Sequence, residues 1–195
     1  RAIAVASWPK GRDLMGGGHF NQAGVFLIDT LISLYVLAFM LRVLLQLVRA
    51  DYYNPVSQAL VKITNPVLLP LRRIIPSFRG WDIPALLVMF ALEVLKFVVI
   101  YGLLAGIQLT PLQVVVLSLQ ALIEMVLELY FFSILIQAVL SWVNPGTYSP
   151  ITSLLWTLNE PILRPIRRVL PPLGGIDFSP LVAMILLQVL RILIA

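Results

Sequence analysis

The stretch Pro161-Ile162-Leu163-Arg164-Pro165-Ile166-Arg167-Arg168-Val169-Leu170-Pro171 has a counterpart in Pro66-Val67-Leu68-Leu69-Pro70-Leu71-Arg72-Arg73-Ile74-Ile75-Pro76. The two lie about 95 residues apart, and the register extends without a gap from Phe26–Ile100 over Ala121–Ala195. Gly80 and Asp82 fall on Gly175 and Asp177, Leu34-Tyr35 on Leu129-Tyr130, Tyr53 on Tyr148 and Pro55 on Pro150. Apolar coincidences between greasy segments carry little information. Pro, Arg, Gly and Asp recurring at one spacing indicate a duplicated unit.

On either side of these Pro/Arg stretches lie long apolar runs. The chain has 195 residues, 60% of them hydrophobic and 12% charged, with a mean hydropathy of +0.97. A soluble domain carries about 25% charged residues, so a water-soluble globule is excluded. Disorder is excluded on the same ground, because it needs low hydrophobicity and high net charge. Crossing about 30 Å of hydrocarbon takes ~20 apolar residues. Four stretches qualify: Val25–Val48, Pro84–Gly106, Leu112–Leu140 and Pro180–Ala195. The last is short and would need a few residues beyond Ala195. The expected fold is therefore an all-α membrane protein with four transmembrane helices, arranged as two tandem helix–connector–helix hairpins. Residues 1–20 form an N-terminal extension, with Met15 a candidate natural start, residues 21–106 the first repeat and residues 107–195 the second.

Two spans per repeat put both connectors, Arg49–Ile83 and Val143–Ser179, on one side of the membrane. They hold Arg49, Lys62, Arg72, Arg73, Arg79, Arg164, Arg167 and Arg168, whereas the link Ile107–Pro111 has no charge. Basic residues collect on the cytoplasmic side. The expectation is cytoplasmic connectors and periplasmic termini, despite Arg1, Lys10 and Arg12 in the tail. The net charge of +5 is thus read as topology and not as nucleic-acid binding.

Within the connectors, Val56, Ala59, Leu60, Ile63 and Val67, and again Ile151, Leu154, Leu155, Leu158 and Ile162, recur at helical spacing. This predicts short amphipathic helices lying in the membrane interface. Pro55 and Pro150 suit a first helical position, and Asn65-Pro66 and Glu160-Pro161 are expected to end the helices. Arg72, Arg73, Arg164, Arg167 and Arg168 are candidates for binding lipid phosphates or a protein partner. They also fit a purely topological role, or pairing with Asp82 and Asp177. Those two aspartates precede the second span of each repeat and are expected to cap it.

Ionisable residues inside a span are costly and are functional candidates. Asp29 and Arg42 lie near the ends of the first span, where they can snorkel to water. Glu93, Lys96, Glu124, Glu128 and Arg191 lie deeper, with Lys96 over Arg191 in the repeat. A bundle that buries Glu124 and Glu128 against Lys96 and Arg191 would neutralise all four. Such a cluster serves either as glue between helices or as an ion or proton path.

The absence of cysteine removes thiolate metal sites, and His19 has no second histidine to share a metal. Met89 and Met184 coincide in the repeat, but matched methionines in apolar helices ordinarily pack. No metal, cofactor or catalytic motif is expected, and the chain reads as a non-enzyme.

The run from Glu160 through Arg168, with Pro171, Gly174-Gly175, Asp177 and Ser179-Pro180, resembles the signature of the YggT family, which includes the YlmG proteins and plastid relatives that assist cytochrome assembly. The tandem form is similar to the proteobacterial members. Repeat one departs from that pattern: Leu69 stands where repeat two has Arg164, Arg79-Gly80 replaces Gly-Gly, and Pro84 aligns with Ser179. The resemblance implies a small inner-membrane protein without established catalytic activity, associated with osmotic or ionic stress and the cell envelope. Two functions follow as expectations. One is a scaffold or accessory protein that binds anionic lipids, a membrane-protein partner or a second copy through its connectors. The other is a small ion channel or transporter that uses the intramembrane charges.

Overall fold

The computed structural model describes residues 19–78, 80–104, 106–143, 149–170 and 177–194. The extension at 1–18, Arg79, and the Pro171 and Gly174-Gly175 of the second connector lie outside these residues. The described chain is all-helical: α1 His19–Leu47, α2 Pro55–Arg72, α3 Ile83–Phe97 continued by a π-helical turn Val98–Leu104, α4 Pro111–Val143, α5 Pro150–Val169 and α6 Ser179–Ile194. Thus α1 begins ahead of the expected Val25, inside the segment read as an extension.

Three helical stretches are long and apolar enough to cross a membrane: Gln22–Leu47, Ile83–Gly102 and Pro111–Val143, of 26, 20 and 33 residues. At 1.5 Å per residue they reach roughly 39, 30 and 50 Å. The α6 helix, with 16 residues, reaches about 24 Å and is shorter than the other three. Large apolar side chains stay exposed along these helices, among them Phe26, Leu31, Leu34, Leu95, Leu112, Val116, Ile185 and Ile192. In water such a belt would drive aggregation, whereas against acyl chains it is at rest.

The α1 helix packs on α2 and α3, α4 packs on α5 and α6, and α3 joins the two sets through α4. The buried positions repeat. Phe39, Leu68 and Val88 are buried in the first unit, and their repeat partners Ile134, Leu163 and Ala183 are buried in the second. The central core gathers Val36, Phe39 and Met40 of α1, Leu60 and Leu68 of α2, Met89 of α3, Leu129 of α4 and Leu158 of α5. Lipid tails are as apolar as leucine, so close packing and interhelical hydrogen bonds hold such helices together, not escape from water.

The connector helices differ from expectation in two respects. First, they run through their prolines, with Pro66 and Pro70 inside α2 and Pro161 and Pro165 inside α5. All four rings lie on the exposed side, so the carbonyls they leave unbonded face outward. Just before the first proline of each pair, a polar tertiary contact fixes the helix. Arg42 Nη1 donates to Thr64 Oγ1 and, at 2.9 Å, to Asn65 Oδ1, while Asn159 is held by Ser133 and Gln137. Local proline preference is overridden by these anchors.

Second, each connector helix packs a face of its own against the bundle, which the interfacial reading did not include. The α2 helix buries Ser57, Leu60, Thr64 and Leu68 and leaves Val56 and Ile63 exposed. The α5 helix buries Leu154, Leu158, Asn159 and Leu163 and leaves Ile151 and Trp156 exposed. Each connector helix therefore presents one partly polar face to the bundle and separate apolar side chains outward.

Both connector helices open on a capping side chain. Asn54 Oδ1 accepts from Val56 N at 3.0 Å, and Ser149 forms a reciprocal capping box with Thr152, which satisfies otherwise orphaned N–H groups. Asn54 also donates through Nδ2 to the Pro150 carbonyl at 2.7 Å. That bond brings the starts of α2 and α5 together.

Candidate functional site

The candidate arginines fall into two groups. The Arg72 and Arg167 guanidiniums are engaged by carboxylates. In the first unit a tight turn, closed by hydrogen bonds between Phe78 and Trp81 with Gly80 at positive φ, returns the chain so that Asp82 meets Arg72. The Asp82 side chain is 0% exposed. Although Asp82 occupies the N-cap position of α3, its side chain makes no capping hydrogen bond, which corrects the expectation of a cap. Its charge is committed to Arg72 instead. In the second unit Arg167 Nε donates to Asp177 Oδ2 at 2.9 Å, and Arg167 Nη1 to Glu160 Oε2 at 3.0 Å. Its guanidinium also lies over the Trp156 ring, 5.4 Å from the centroid. Asp177 keeps a capping role as well, with Oδ1 accepting from Ser179 N at 2.9 Å. Burial pushes the Asp177 carboxyl pKa up, but the hydrogen bonds from Ser179 and Arg167 outweigh it and hold the group below the usual carboxylate range.

Arg73, Arg164 and Arg168 are exposed, and their side chains make no ion pair or hydrogen bond with the described residues. Arg164 and Arg168 stand four apart on α5, on one side of the helix. These guanidiniums have their donors available for a ligand from outside the chain.

The charges within the apolar helices do not converge on one point. Lys96 Nζ lies 2.8 Å from Glu93 Oε2 and 3.6 Å from Asp29 Oδ1, and donates to Ser33 Oγ at 3.1 Å. Glu93 is 0% exposed, and its Oε1 has no hydrogen-bond partner. In the other unit Arg191 Nη1 reaches Glu128 Oε1 at 3.5 Å. Glu124 accepts from Gln120 Nε2 at 3.2 Å and pairs with neither cation. The expected four-way cluster of Glu124, Glu128, Lys96 and Arg191 is thus replaced by two separate groups, Lys96 with Glu93 and Asp29 in one unit and Arg191 with Glu128 in the other. The apolar layer of Val36, Phe39 and Met89, each at most 1% exposed, separates the Lys96 group from Arg42.

The reading from sequence missed a polar seam between the first helix of each unit and its connector helix. Arg42 does not snorkel to water; it is 9% exposed and turns onto Thr64 and Asn65. At the matching place in unit two, Ser133 Oγ donates to Asn159 Oδ1 at 2.6 Å, and Asn159 Nδ2 donates to Gln137 Oε1 at 2.7 Å. The repeat register contained the signal: Arg42 lies over Gln137 and Thr64 over Asn159, polar on polar inside otherwise apolar surroundings.

Arg42 also lines a cleft of about 450 Å³ between the end of α1 and α2, with Arg49, Arg72, Tyr52, Ser57 and Ser77 among the other walls. Among the described residues no three His, Cys, Asp or Glu side chains gather as a metal site would require.

Comparison with known proteins bears on this geometry directly. The family described as CCB3/YggT matches residues 21–103 and again residues 116–195. The chain belongs to the CCB3/YggT family. The two matched stretches carry the two Pro/Arg connectors, one in each unit. An uncharacterised protein of Pseudomonas aeruginosa is 41% identical over 175 residues, covering 89% of each chain. The uncharacterised protein YggT of Escherichia coli K12 is 40% identical over 171 residues, 87% of this chain and 88% of that one. The uncharacterised protein ycf19 of Guillardia theta is 38% identical over 63 residues, 32% of this chain and 69% of its own length. No solved structure matches.

Proposed function

We propose that the chain is a non-enzymatic accessory or scaffold protein of the bacterial inner membrane. It crosses the bilayer four times as two tandem hairpins and holds both Pro/Arg connectors at the cytoplasmic face, where they bind anionic lipids or a membrane-protein partner. The observation that carries this reading is the hydrogen bond from Asn54 Nδ2 to the Pro150 carbonyl. Elbows joined at their starts belong on one face of the membrane. The exposed, unpaired Arg73, Arg164 and Arg168 then look out from that face into the layer of lipid phosphates. The proposed role extends to envelope upkeep under osmotic or ionic stress, as the resemblance drawn from the sequence implies.

Because the chain has no cysteine, single-cysteine labelling gives a clean test. Cysteines placed at Ser77 and Ser153 should both react from the cytoplasmic side in intact cells, and reaction from opposite sides would refute the layout. Charge reversal at Arg164 and Arg168 should weaken the preference for phosphatidylglycerol over phosphatidylcholine while leaving insertion intact.

One observation favours ion handling as a second reading: the buried Glu93 with an unpartnered oxygen beside Lys96. In proteoliposomes this reading expects cation or proton flux that disappears in Glu93→Gln. A folded protein without flux leaves the scaffold alone.

A further inference from the structure

The cleft between the end of α1 and α2 is lined by three arginines, Arg42, Arg49 and Arg72, and by the hydroxyl-bearing Tyr52, Ser57 and Ser77. Asp82 is the only carboxylate among the described residues that pairs with any of these arginines, so two positive charges in the cleft stay uncompensated. Donors remain unused. Arg42 engages the protein through Nη1 alone, although a guanidinium carries five N–H groups. Arg72 Nε is buried with no hydrogen-bond partner. Arg49 makes no contact with a carboxylate. Its backbone sits at φ 54, in the C′ position of α1, with Ala50 N bonded to Leu45 O at 2.9 Å. Glycine is the usual occupant of that left-handed position. Three arginines lining one concavity, with a single carboxylate among them, make it electropositive and favour an anion there.

We infer that this cleft is a binding site for a phosphate group, and specifically for the headgroup of an anionic phospholipid. Guanidiniums bind phosphate oxygens bidentately, and the hydroxyls suit a glycerol moiety. Depth selects the lipid over a soluble phosphate. The apolar span of α1 ends at Leu47, so Arg42 lies about 7 Å inside that end and Arg49 just beyond it. Leu45, Leu60 and Val61 line the same cleft and can meet the first methylenes of an acyl chain. The site belongs to the first unit alone, because Gln137 and Asn144 stand where Arg42 and Arg49 would repeat. The assignment rests on the proposed lipid-binding role of the connectors and gives it a place.

The test is native mass spectrometry of the full chain in detergent micelles doped with phosphatidylglycerol or phosphatidylcholine. Unfolding protection by inorganic phosphate is measured in parallel. Wild type should retain one phosphatidylglycerol in preference to phosphatidylcholine. Arg49→Gln should weaken that retention about tenfold, the effect of losing one charge-assisted contact. Arg49→Lys should lose less, and Lys62→Gln, an exposed change on α2 away from the cleft, should lose nothing. If phosphatidylglycerol preference survives Arg49→Gln but disappears when Arg164 and Arg168 are reversed to Glu, the cleft assignment falls while the connector reading stands. If wild type shows no lipid preference, yet inorganic phosphate protects it and Arg49→Gln abolishes that protection, the lipid assignment is overturned in favour of a soluble phosphate. Neither preference nor protection in wild type removes both readings.

Discussion

Asp82 and Asp177 occupy the same place in the repeat and both pair with an arginine ten residues upstream, yet their substitution should have unequal consequences. The Asp82 side chain is 0% exposed and that of Arg72 32%, whereas Asp177 is 41% exposed and Arg167 27%. Asp82→Asn removes the one charge partner of Arg72 from a fully buried position. Breaking such a pair costs about 3–5 kcal/mol, and the third of Arg72 that remains exposed places the expected loss near the lower end, about 3 kcal/mol. Asp177→Asn changes a carboxylate that is itself 41% exposed and leaves Arg167 with Glu160 as a second partner, so its loss should stay within about 1 kcal/mol, as for exposed pairs. Denaturant unfolding in detergent, followed by tryptophan fluorescence, measures both. Trp81 adjoins Asp82 in sequence, and Trp156 carries Arg167 on its ring. A double replacement by apolar residues, Arg72→Met with Asp82→Leu, should recover much of the loss, since removing a whole buried pair is often neutral or stabilising. If Asp82→Asn and Asp177→Asn lie within about 0.5 kcal/mol of each other, burial does not govern these pairs and the reasoning fails.

Further outcomes can be checked on the same protein. The Asp177 carboxyl is depressed below the unfolded value of about 3.9 by Ser179 and Arg167, against the opposing effect of burial. Its contribution is therefore complete above about pH 4 and disappears as pH falls through the folded pKa; unfolding curves of wild type should drop more steeply there than those of Asp177→Asn. Asn159→Leu strands the buried Ser133 and Gln137 and should destabilise by about 2–3 kcal/mol, while the triple apolar replacement at Ser133, Gln137 and Asn159 should cost much less. Arg49→Gly relieves a left-handed backbone that costs an L-residue about 1–2 kcal/mol. After the greater unfolded-state freedom of glycine, it should leave the protein about 0.5–1 kcal/mol more stable, read as a higher unfolding midpoint.

Much of this architecture was legible in the residue order. Matched Pro, Arg, Gly and Asp gave the duplication, and uninterrupted apolar runs gave the three long helices, because both signals are local and hard to satisfy by accident. What escaped had a tertiary cause. Pro66 and Pro161 should end helices on their own, but Arg42 in one unit and Ser133 with Gln137 in the other hold the helix on the far side of the ring. Arg42 sits near enough to a span end to reach water, yet two side chains on a neighbouring helix, Thr64 and Asn65, each offered an oxygen. Asp82 had a helix start and an arginine both within reach, and only the turn through Gly80 decided between them. The exposed arginines could be named from sequence; which of them stay unpaired could not, since that depends on where each carboxylate ends up.

The clasp between the connectors has an asymmetry of its own. Its donor is the side chain of Asn54, while its acceptor is main chain at Pro150. Substitutions on the acceptor side therefore leave the contact intact, whereas nearly any exchange at Asn54 abolishes it. The two halves, though born as copies, no longer have equal freedom to change: one guards the join, and the other can drift.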